Sequence, residues 1–504
     1  MSRPLTESAF IAALAAALAI PACSAHSRAA PTDLPQDPQS VAVVADKGTP
    51  RPPYQWDAED AAFLDEVQRG SFNWFWSQAH ATSGLVPDRT GVDFASVAGV
   101  GFQLAALPIG VERGWVTRSE ATDRALLIVR TLASAPTNRH NGIFFHFLDA
   151  ATGAPARNAY ECTASTIDSA LLVCGLMTAS SYFGGEIATI ADTLVEESDW
   201  ASYVDPEPSE PHYRGFISLG WKAEDKAAPN GNGSLLKFYW ADAGDEQRLV
   251  AFLATGNSDT SRAVDPSVYY KLRRRVGEYG DGPMVWLPWS GALFTNFFAH
   301  CWINYAQLGA DDPAAQGVER RIRVDWWENS RRAALMHRRK AIENPKNLPG
   351  FGEHMWGLSA CDGDNTYLVP GLYPRNVQVA GERPNIDVAM YTPQDNWEDG
   401  TVAPYTAGCA IMFLPRESIA ALRHYRDLKN SAGEPLVWRD PNAGGVGFLD
   451  SFTLATGWHA SGCVAIDQGP LILAIENART GLVWKLFGSH PHAQRAMQRL
   501  SMTR

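Results

Sequence analysis

The stretch that decides the fold is Ile466-Asp467-Gln468-Gly469-Pro470, which opens a long apolar run from Leu471 to Phe487. Proline is tolerated at the first position of a helix, so the pattern predicts a helix over 468–488. A helix this apolar must be buried. The positive end of the helix dipole favours an ionised carboxylate. Asp467 is therefore predicted to lie inside the protein, where carboxylates often have functional roles.

Helical periodicity dominates the rest of the chain after residue 54. The predicted helices cover 58–77, 94–112, 118–134, 165–183, 186–198, 245–256, 293–308, 315–342, 415–429 and 468–488. Some of them are apolar nearly all round, whereas 118–134 and 315–342 carry charge on one face. Apolar helices inside and amphipathic helices outside are typical of an all-α toroid. The loops 199–240 and 344–410 would then cover one rim.

Composition excludes several functions. The chain has 504 residues, 19% of them charged, and a net charge of −12, which argues against a nucleic-acid partner. No Gly-x-Ser-x-Gly elbow, phosphate-binding loop or dinucleotide fingerprint occurs. No CxxC or HExxH pairing occurs either, so neither a metal nor a cofactor is expected. Cys174 and Cys409 lie in apolar runs and are predicted to be buried thiols.

The N-terminus has the features of an export signal. Arg3 precedes the apolar stretch 9–20, and Ile20-Pro21-Ala22-Cys23 resembles a bacterial lipobox in which Cys23 is lipidated. A conventional cut near Ala25 or Ala30 is the alternative. The predicted organisation is a signal peptide (1–23), a flexible tether (24–53) and one folded domain (54–504). The protein is then expected in the periplasm or at the outer membrane, with the membrane as a partner only through the lipid anchor.

Acids recur at or near the starts of apolar helices. Asp168 follows Ser165, Glu246 follows Gly244-Asp245, and Asp467 precedes the last apolar run, while Asp399 lies in a similar loop context. For any one of them alone, stabilisation of a helix start is a sufficient explanation. If the inner helices begin on the same rim, however, these side chains converge on one cavity. Paired acids in one cavity are what glycosidic bond cleavage requires.

The chain also has seventeen tryptophans. Indole faces pack well against the C–H faces of sugar rings, so tryptophans in loops near acids favour a saccharide ligand. His146 is a candidate proton carrier or donor, although a buried histidine with a satisfied hydrogen bond is the alternative. The predicted substrate-binding residues are Asp399, Gln468, Trp240, His146, Glu353, Trp356 and Trp397.

These residues resemble the bacterial glycoamylase-like family, whose members include endo-β-1,2-glucanases. The matching segments are Ser96-Val97-Ala98 through Gly101-Phe102, Pro108 to Gly114, Phe144 to Asp149, Ser165-Thr166-Ile167-Asp168, Glu328 to Arg332, Trp356 to Gly363, Asp399-Gly400-Thr401 and Ile466 to Pro470. They occur in order over nearly all of the folded domain.

The resemblance implies a six-hairpin α/α toroid and hydrolysis of β-1,2-linked glucans, with inversion of the anomeric carbon. It carries Glu246 over as an acid, with Asp168 and Asp467 as further carboxylates of the cleft. Two positions depart from the family pattern: Thr163 stands where a glutamate is expected, and Asn304 stands where an aspartate is common.

The sequence hypothesis is therefore an exported glycoside hydrolase that acts on a β-glucan or its oligosaccharides. In it, Glu246 protonates the leaving oxygen, and Asp467 or Asp168 activates water. The first alternative is a glycan-binding lipoprotein without activity, because Thr163 and Asn304 replace expected acids. The second is a transglycosylase or a polysaccharide lyase on the same architecture, although an acid-lined cleft argues against the anionic substrate of a lyase.

Overall fold

The computed structural model describes residues 43–156, 159, 161–225, 228–229, 231–278, 281–286, 291–319, 321–372, 377–379 and 399–502. Its α-helices are α1 (Ala58–Gln78), α2 (Val97–Glu112), α3 (Arg118–Ser134), α4 (Thr166–Phe183), α5 (Gly185–Glu197), α6 (Asp245–Thr255), α7 (Ser267–Lys271), α8 (Tyr305–Leu308), α9 (Trp326–Glu343), α10 (Pro404–Cys409), α11 (Pro415–Asp427), α12 (Ala465–Arg479), α13 (Leu482–Ser489) and α14 (Pro491–Arg499).

Short antiparallel sheets of two or three strands lie in the connections between helices. Their strands are β1 (Phe94–Ser96), β2 (Arg139–His140), β3 (Ile143–Phe144), β4 (Phe147–Asp149), β5 (Thr163–Ser165), β6 (Gly220–Ala223), β7 (Gly233–Leu235), β8 (Arg275–Glu278), β9 (Pro283–Trp286), β10 (Cys361–Asp362), β11 (Tyr367–Leu368), β12 (Val377–Val379), β13 (Trp438–Arg439), β14 (Gly447–Phe448), β15 (Phe452–Thr453) and β16 (Trp458–His459). The fold is therefore helix-rich, as predicted, with small sheets that the helical pattern did not indicate.

The apolar helices form the interior. Almost every residue of α2, α4 and α12 is buried, whereas α3 and α5 bury only one face. α4 packs on α2 and on α6, and α12 packs on α2. Among the described residues, α4 is long and apolar enough to cross a membrane, but most of it is buried in this core.

Local capping explains why several predicted boundaries are correct. Thr117 and Glu120 form a capping box at the start of α3. The side chain of Ser165 accepts a hydrogen bond from the N–H of Asp168 at the start of α4. Cys174 and Cys409 are fully buried thiols, as predicted.

The predicted helix over 468–488 is wrong in two respects. It begins earlier, at Ala465, so Pro470 lies inside α12 rather than at its first position. It also ends at Arg479, because Gly481 adopts a left-handed φ of 70° and a second helix, α13, follows. Asp467 nevertheless lies in the first turn of α12, so its placement at the positive end of a buried helix is retained.

Two other predicted helices also differ from the structure. The segment 293–308 is broken into short 3₁₀ turns and α8, because the carboxylate of Asp245 accepts the N–H groups of Ala299 and His300. Within 315–342, the long helix begins only at Trp326, where Asp325 caps it. Val324, just before the cap, is extended and bridges to Val43.

The end of the predicted tether is also part of the folded domain. Val43 donates its N–H to the carbonyl of Arg323, and Arg51 binds the carbonyl of Ala306 and the carboxylate of Asp325. Residues 43–53 are therefore packed against the domain instead of forming a free linker. Cys23 and the rest of 1–42 lie outside the described residues.

The crossing of α2 and α4 requires glycine at two positions. A Cβ atom on Gly101 would overlap the carbonyl of Leu171, and one on Gly175 would overlap the carbonyl of Gly101. We expect Gly101→Ala to lower the free energy of unfolding by about 1–3 kcal/mol, because the helices must separate. Chemical denaturation measures this. Gly488→Ala in α13 is the matched control, since its Cβ meets nothing within 4 Å. Equal stability of the two variants would contradict the close-packing argument.

Candidate active site

The inner helices α4 and α6 begin at an open cavity of about 1000 Å³, a volume that includes solvent space at its mouth. Carboxylates, two cationic side chains and aromatic rings line it together with apolar side chains. The lining includes Asp88, Arg89, His146, Glu161, Thr163, Asp168, Trp240, Glu246, Tyr367, Val464 and Ile466. The structure therefore brings together two of the three predicted catalytic acids, Asp168 and Glu246, at one cavity.

A histidine between two carboxylates forms one wall of the cavity. The Nδ1 atom of His146 lies 2.8 Å from Glu161 Oε1, and its Nε2 atom lies 3.4 Å from Asp168 Oδ1. Strand β5 sets this arrangement, because the carbonyl of Thr163 accepts the N–H of His146. The hydroxyl of Ser165 donates to Asp168 Oδ2 at 2.5 Å. Both oxygens of Asp168 are thus already engaged.

The charge state of His146 follows from these neighbours. Burial favours the neutral ring, but Asp168 and Glu161 outweigh it and raise the pKa of His146 to about 9. Burial also raises the pKa of Asp168 above its ordinary value, although His146 and Ser165 oppose this. At neutral pH the wall therefore holds an imidazolium between two acidic groups.

This pKa predicts a pH-dependent stability. Because His146 binds its proton more tightly in the folded state, the stabilisation is complete below pH 6.5 and is lost as the pH rises to about 9. We expect His146→Gln to unfold more easily than the parent by up to about 3 kcal/mol below pH 6.5. The difference should shrink towards pH 9. Denaturant titrations at a series of pH values measure it, and a difference that does not change with pH would contradict the ion pair.

Glu246 is held in place by the residue before it. Asp245 is fully buried at the start of α6, where it pairs with Arg248 and with Nδ1 of His300 at 2.8 Å. Burial would raise the pKa of Asp245, but His300 and Arg248 outweigh it and lower the pKa below its ordinary value. Asp245 therefore anchors the first turn of α6, and Glu246, 7% exposed, lines the cavity.

Asp467 lies behind the cavity wall instead of on its surface. Its neighbours Val464 and Ile466 line the cavity, but Asp467 does not, and it is 1% exposed. The prediction that all three acids line one cavity is therefore correct for Asp168 and Glu246 and wrong for Asp467. The reason is that Asp467 points into the protein from the first turn of α12, towards a second buried carboxyl group, that of Asp450.

Arg89 links the cavity to this buried region. It forms ion pairs with Asp88 Oδ2 at 2.9 Å and with Asp362 Oδ1 at 2.6 Å, and it lies over the ring of Tyr367. Asp362 in turn donates its backbone N–H to Asp450 Oδ2 at 2.8 Å. A continuous polar layer therefore connects the cavity to Asp450 and Asp467.

Two of the predicted substrate-binding residues, Trp240 and His146, line the cavity, and Gln468 does not. Trp240 lines the cavity and donates its Nε1 hydrogen to Thr166 Oγ1 at 2.7 Å. His146 lines it as well. Gln468 is buried and bonds Ser71 and the carbonyl of Phe448, so its role in the structure is to join α12 to its neighbours.

The remaining predicted binding residues do not reach the cavity. Glu353 is exposed and pairs with Arg338. Trp356 is fully buried in the core. Asp399 is exposed and caps its own turn by accepting from Thr401. Trp397 lies outside the described residues.

Sequence reasoning missed five acidic or basic residues of this region. Asp88, Arg89, Glu161, Asp362 and Asp450 lie in loops or short strands without a helix-start pattern. The sequence did offer one signal for Glu161. Thr163 stands where a glutamate is expected, and Glu161 supplies a carboxylate two residues earlier. The other departure, Asn304, does not line the cavity.

A helix-rich fold that gathers acids and aromatic rings in one cavity is typical of carbohydrate-active enzymes. The family model named Glycoamylase, with the description "Putative glucoamylase", matches residues 237–491, which is half of the chain. The chain therefore belongs to the Glycoamylase family, and the resemblance seen in the sequence is confirmed.

Relatives of known structure or activity agree with this family. An exo β-1,2-glucooligosaccharide sophorohydrolase (non-reducing end) of Parabacteroides distasonis is 27% identical over 475 residues, which cover 88% of this chain. The chain spans 58% of the length of that protein.

Two solved structures have a similar fold. An endo-β-1,2-glucanase of Chitinophaga pinensis superposes with a TM-score of 0.69 at 23% identity, covering 88% of this chain and 98% of that one. A β-1,2-glucanase of Parabacteroides distasonis superposes with a TM-score of 0.69 at 23% identity. The match covers 89% of this chain and 60% of that one.

Proposed function

We propose that this protein is a glycoside hydrolase that cleaves β-1,2-linked glucan or its oligosaccharides with inversion of the anomeric carbon. The observation that carries the proposal is the placement of Glu246 and Asp168 at one cavity whose wall includes Trp240. Acids supply proton transfer, and an indole ring supplies a flat apolar surface for a sugar. The β-1,2 linkage is supported by the names of the relatives described above.

The architecture that we propose is a six-hairpin α/α toroid. The contacts from α2 through α4 to α6, and from α12 back to α2, support a closed inner ring. The amphipathic helices α3 and α5, which pack against each other outside that ring, support an outer one.

Glu246 is the general acid in this proposal. Its helix start is fixed by the buried Asp245, so its backbone is held where its side chain lines the cavity. The proton of Glu246 passes to the glycosidic oxygen as the bond between that oxygen and the anomeric carbon breaks. A fixed donor is what general acid catalysis needs.

Asp467 is the base that we propose. Both oxygens of Asp168 are engaged by Ser165 and His146, whereas Asp467 Oδ2 has no hydrogen-bond donor among the described residues. A carboxyl oxygen without a donor is the stronger proton acceptor. Because Asp467 lies behind the wall, the proton of the attacking water reaches it through an intervening water molecule. The oxygen of the attacking water forms the new bond to the anomeric carbon.

Asp168, His146 and Glu161 are then substrate-positioning groups. They present an imidazolium and two acidic groups to the cavity, which suits the hydroxyl groups of a neutral sugar. The protein would meet this substrate outside the cytoplasm. We therefore retain export and lipid attachment at Cys23 as part of the proposal, supported by the pattern of residues 3–23.

A panel of glucans of different linkage tests the proposal. Incubation with β-1,2-, β-1,3-, β-1,4- and β-1,6-linked glucans should release new reducing ends from the β-1,2-linked polymer alone. Binding to that polymer without release would instead establish a glycan-binding protein. Products longer than the substrate would establish transglycosylation. Release of reducing ends from a glucan of another linkage, with none from β-1,2-glucan, would contradict the proposed substrate.

A further inference from the structure

Asp450 and Asp467 form a buried pair of carboxyl groups next to the cavity wall. Asp450 lies between strands β14 and β15, and Asp467 lies in the first turn of α12. Each is 1% exposed. The two carboxyl groups are close enough to hydrogen-bond to each other when one of them carries a proton.

Each carboxyl group of the pair has one buried oxygen without a hydrogen-bond donor among the described residues. Asp450 Oδ2 accepts the N–H of Asp362, which leaves Asp450 Oδ1 buried with no donor. Asp467 Oδ2 is likewise buried with no donor among the described residues. A single proton held by the pair lets one carboxyl group donate a hydrogen bond to the other. Without it, two like charges would be buried together, which is strongly unfavourable.

The surroundings of the pair do not neutralise a second negative charge. The cation that acts on Asp450 is Arg89, which also pairs with Asp88 and Asp362. The other titratable groups around the pair are Asp362, Tyr367, Tyr405, Cys361 and Cys463. Burial raises the pKa of both tyrosines and both cysteines well above their ordinary values, so these four are neutral near pH 7.

We propose that Asp450 and Asp467 share one proton, and that Asp450 is the positioning residue that sets the orientation and the protonation state of Asp467. The pair then carries one negative charge at neutral pH. It accepts one further proton when the attacking water is deprotonated, and it returns that proton to solvent after the product forms. Burial and the charge of Asp362 raise the pKa of Asp450 to about 7, and burial and the charge of Asp450 raise the pKa of Asp467 well above its usual range, in agreement with this. The catalytic part of the inference rests on the proposed function, whereas the shared proton does not.

Infrared spectroscopy tests the shared proton without any need for activity. At about pH 6 an ordinary aspartic acid is ionised, so a protonated carboxyl band must come from a group with a raised pKa. In Asp450→Asn, the amide still accepts from Asp362 and now donates to Asp467. We expect the band of the parent to titrate about 1–3 pH units lower in this variant. The same fall is expected in Asp467→Asn, which keeps the test valid if one of the two variants does not fold.

Asp205→Asn is the matched control. Asp205 is also buried, at 3% exposure, but its partners are Lys237 and Tyr239 instead of a carboxyl group. Its variant should leave the band unchanged. Absence of a protonated carboxyl band in the parent at about pH 6, or a band with the same midpoint in Asp450→Asn, would overturn the inference.

The pH profile separates this inference from the proposed function. On β-1,2-glucan, the acidic limb of kcat/KM should move to lower pH in Asp450→Asn, a shift that a purely structural role would not cause. An unmoved limb together with a lowered infrared midpoint would overturn the positioning role and leave the shared proton in place. Lack of turnover on every glucan would overturn the proposed function. The infrared result would then still show whether Asp450 and Asp467 share a proton.

Discussion

Glu246→Gln should lower kcat on β-1,2-glucan by about 10²–10⁴-fold, because glutamine cannot donate a proton to the leaving oxygen. KM should change little, since the amide has the size and polarity of the carboxyl group that it replaces. The fold should also persist, because the buried contacts of Asp245 hold the start of α6. Steady-state kinetics on the purified variant, with circular dichroism to verify folding, measure these effects.

The matched control for this variant is Glu161→Gln. Glu161 is a carboxylate of the same cavity, but it is paired with His146 at 2.8 Å and is not assigned a proton-donor role. Its substitution should act mainly on KM. If Glu246→Gln kept activity within about tenfold of the parent, or if both variants lost kcat equally, Glu246 would not be the general acid.

Asp467→Asn should also lower kcat by about 10²–10⁴-fold, because the attacking water loses its base. Azide, a nucleophile that needs no base, should restore turnover in this variant and give a glycosyl azide of inverted configuration. Product analysis by NMR with and without azide measures both effects.

Asp168→Asn is the control for the choice of base. Because Asp168 is engaged by Ser165 and His146, its variant should raise KM more than it lowers kcat and should not respond to azide. Rescue of Asp168→Asn in place of Asp467→Asn would exchange the two roles. That exchange would leave Glu246 as the acid and make the cavity-lining aspartate the base.

Much of the helical framework could be predicted because its signals are local. The capping box at Thr117 and the serine cap at Ser165 act within four residues, and both mark the correct helix starts. The break in 293–308 could not be predicted, because it depends on the carboxylate of Asp245, which is distant in the sequence. The start of α12 was misplaced for a related reason. Pro470 is a helix-start signal in general, but here it is tolerated inside a helix that tertiary packing stabilises.

The candidate site could be predicted only where acids coincide with helix starts. Asp168 and Glu246 satisfy that condition, and both line the cavity. Asp450 and Arg89 lie in loops that are brought to the site by tertiary contacts, so no spacing pattern indicates them. Trp356 is an error of the opposite kind. It lies in a segment that resembles the family, but its side chain is buried in the core.

The anomeric form of the first product tests the central claim most directly. Proton NMR, recorded during the first turnovers of β-1,2-glucan by the unmodified protein, distinguishes the two anomers before they interconvert. An inverting reaction between Glu246 and a water activated by Asp467 predicts that the new reducing end appears first as the α-anomer. First appearance of the β-anomer would show retention and would contradict the account.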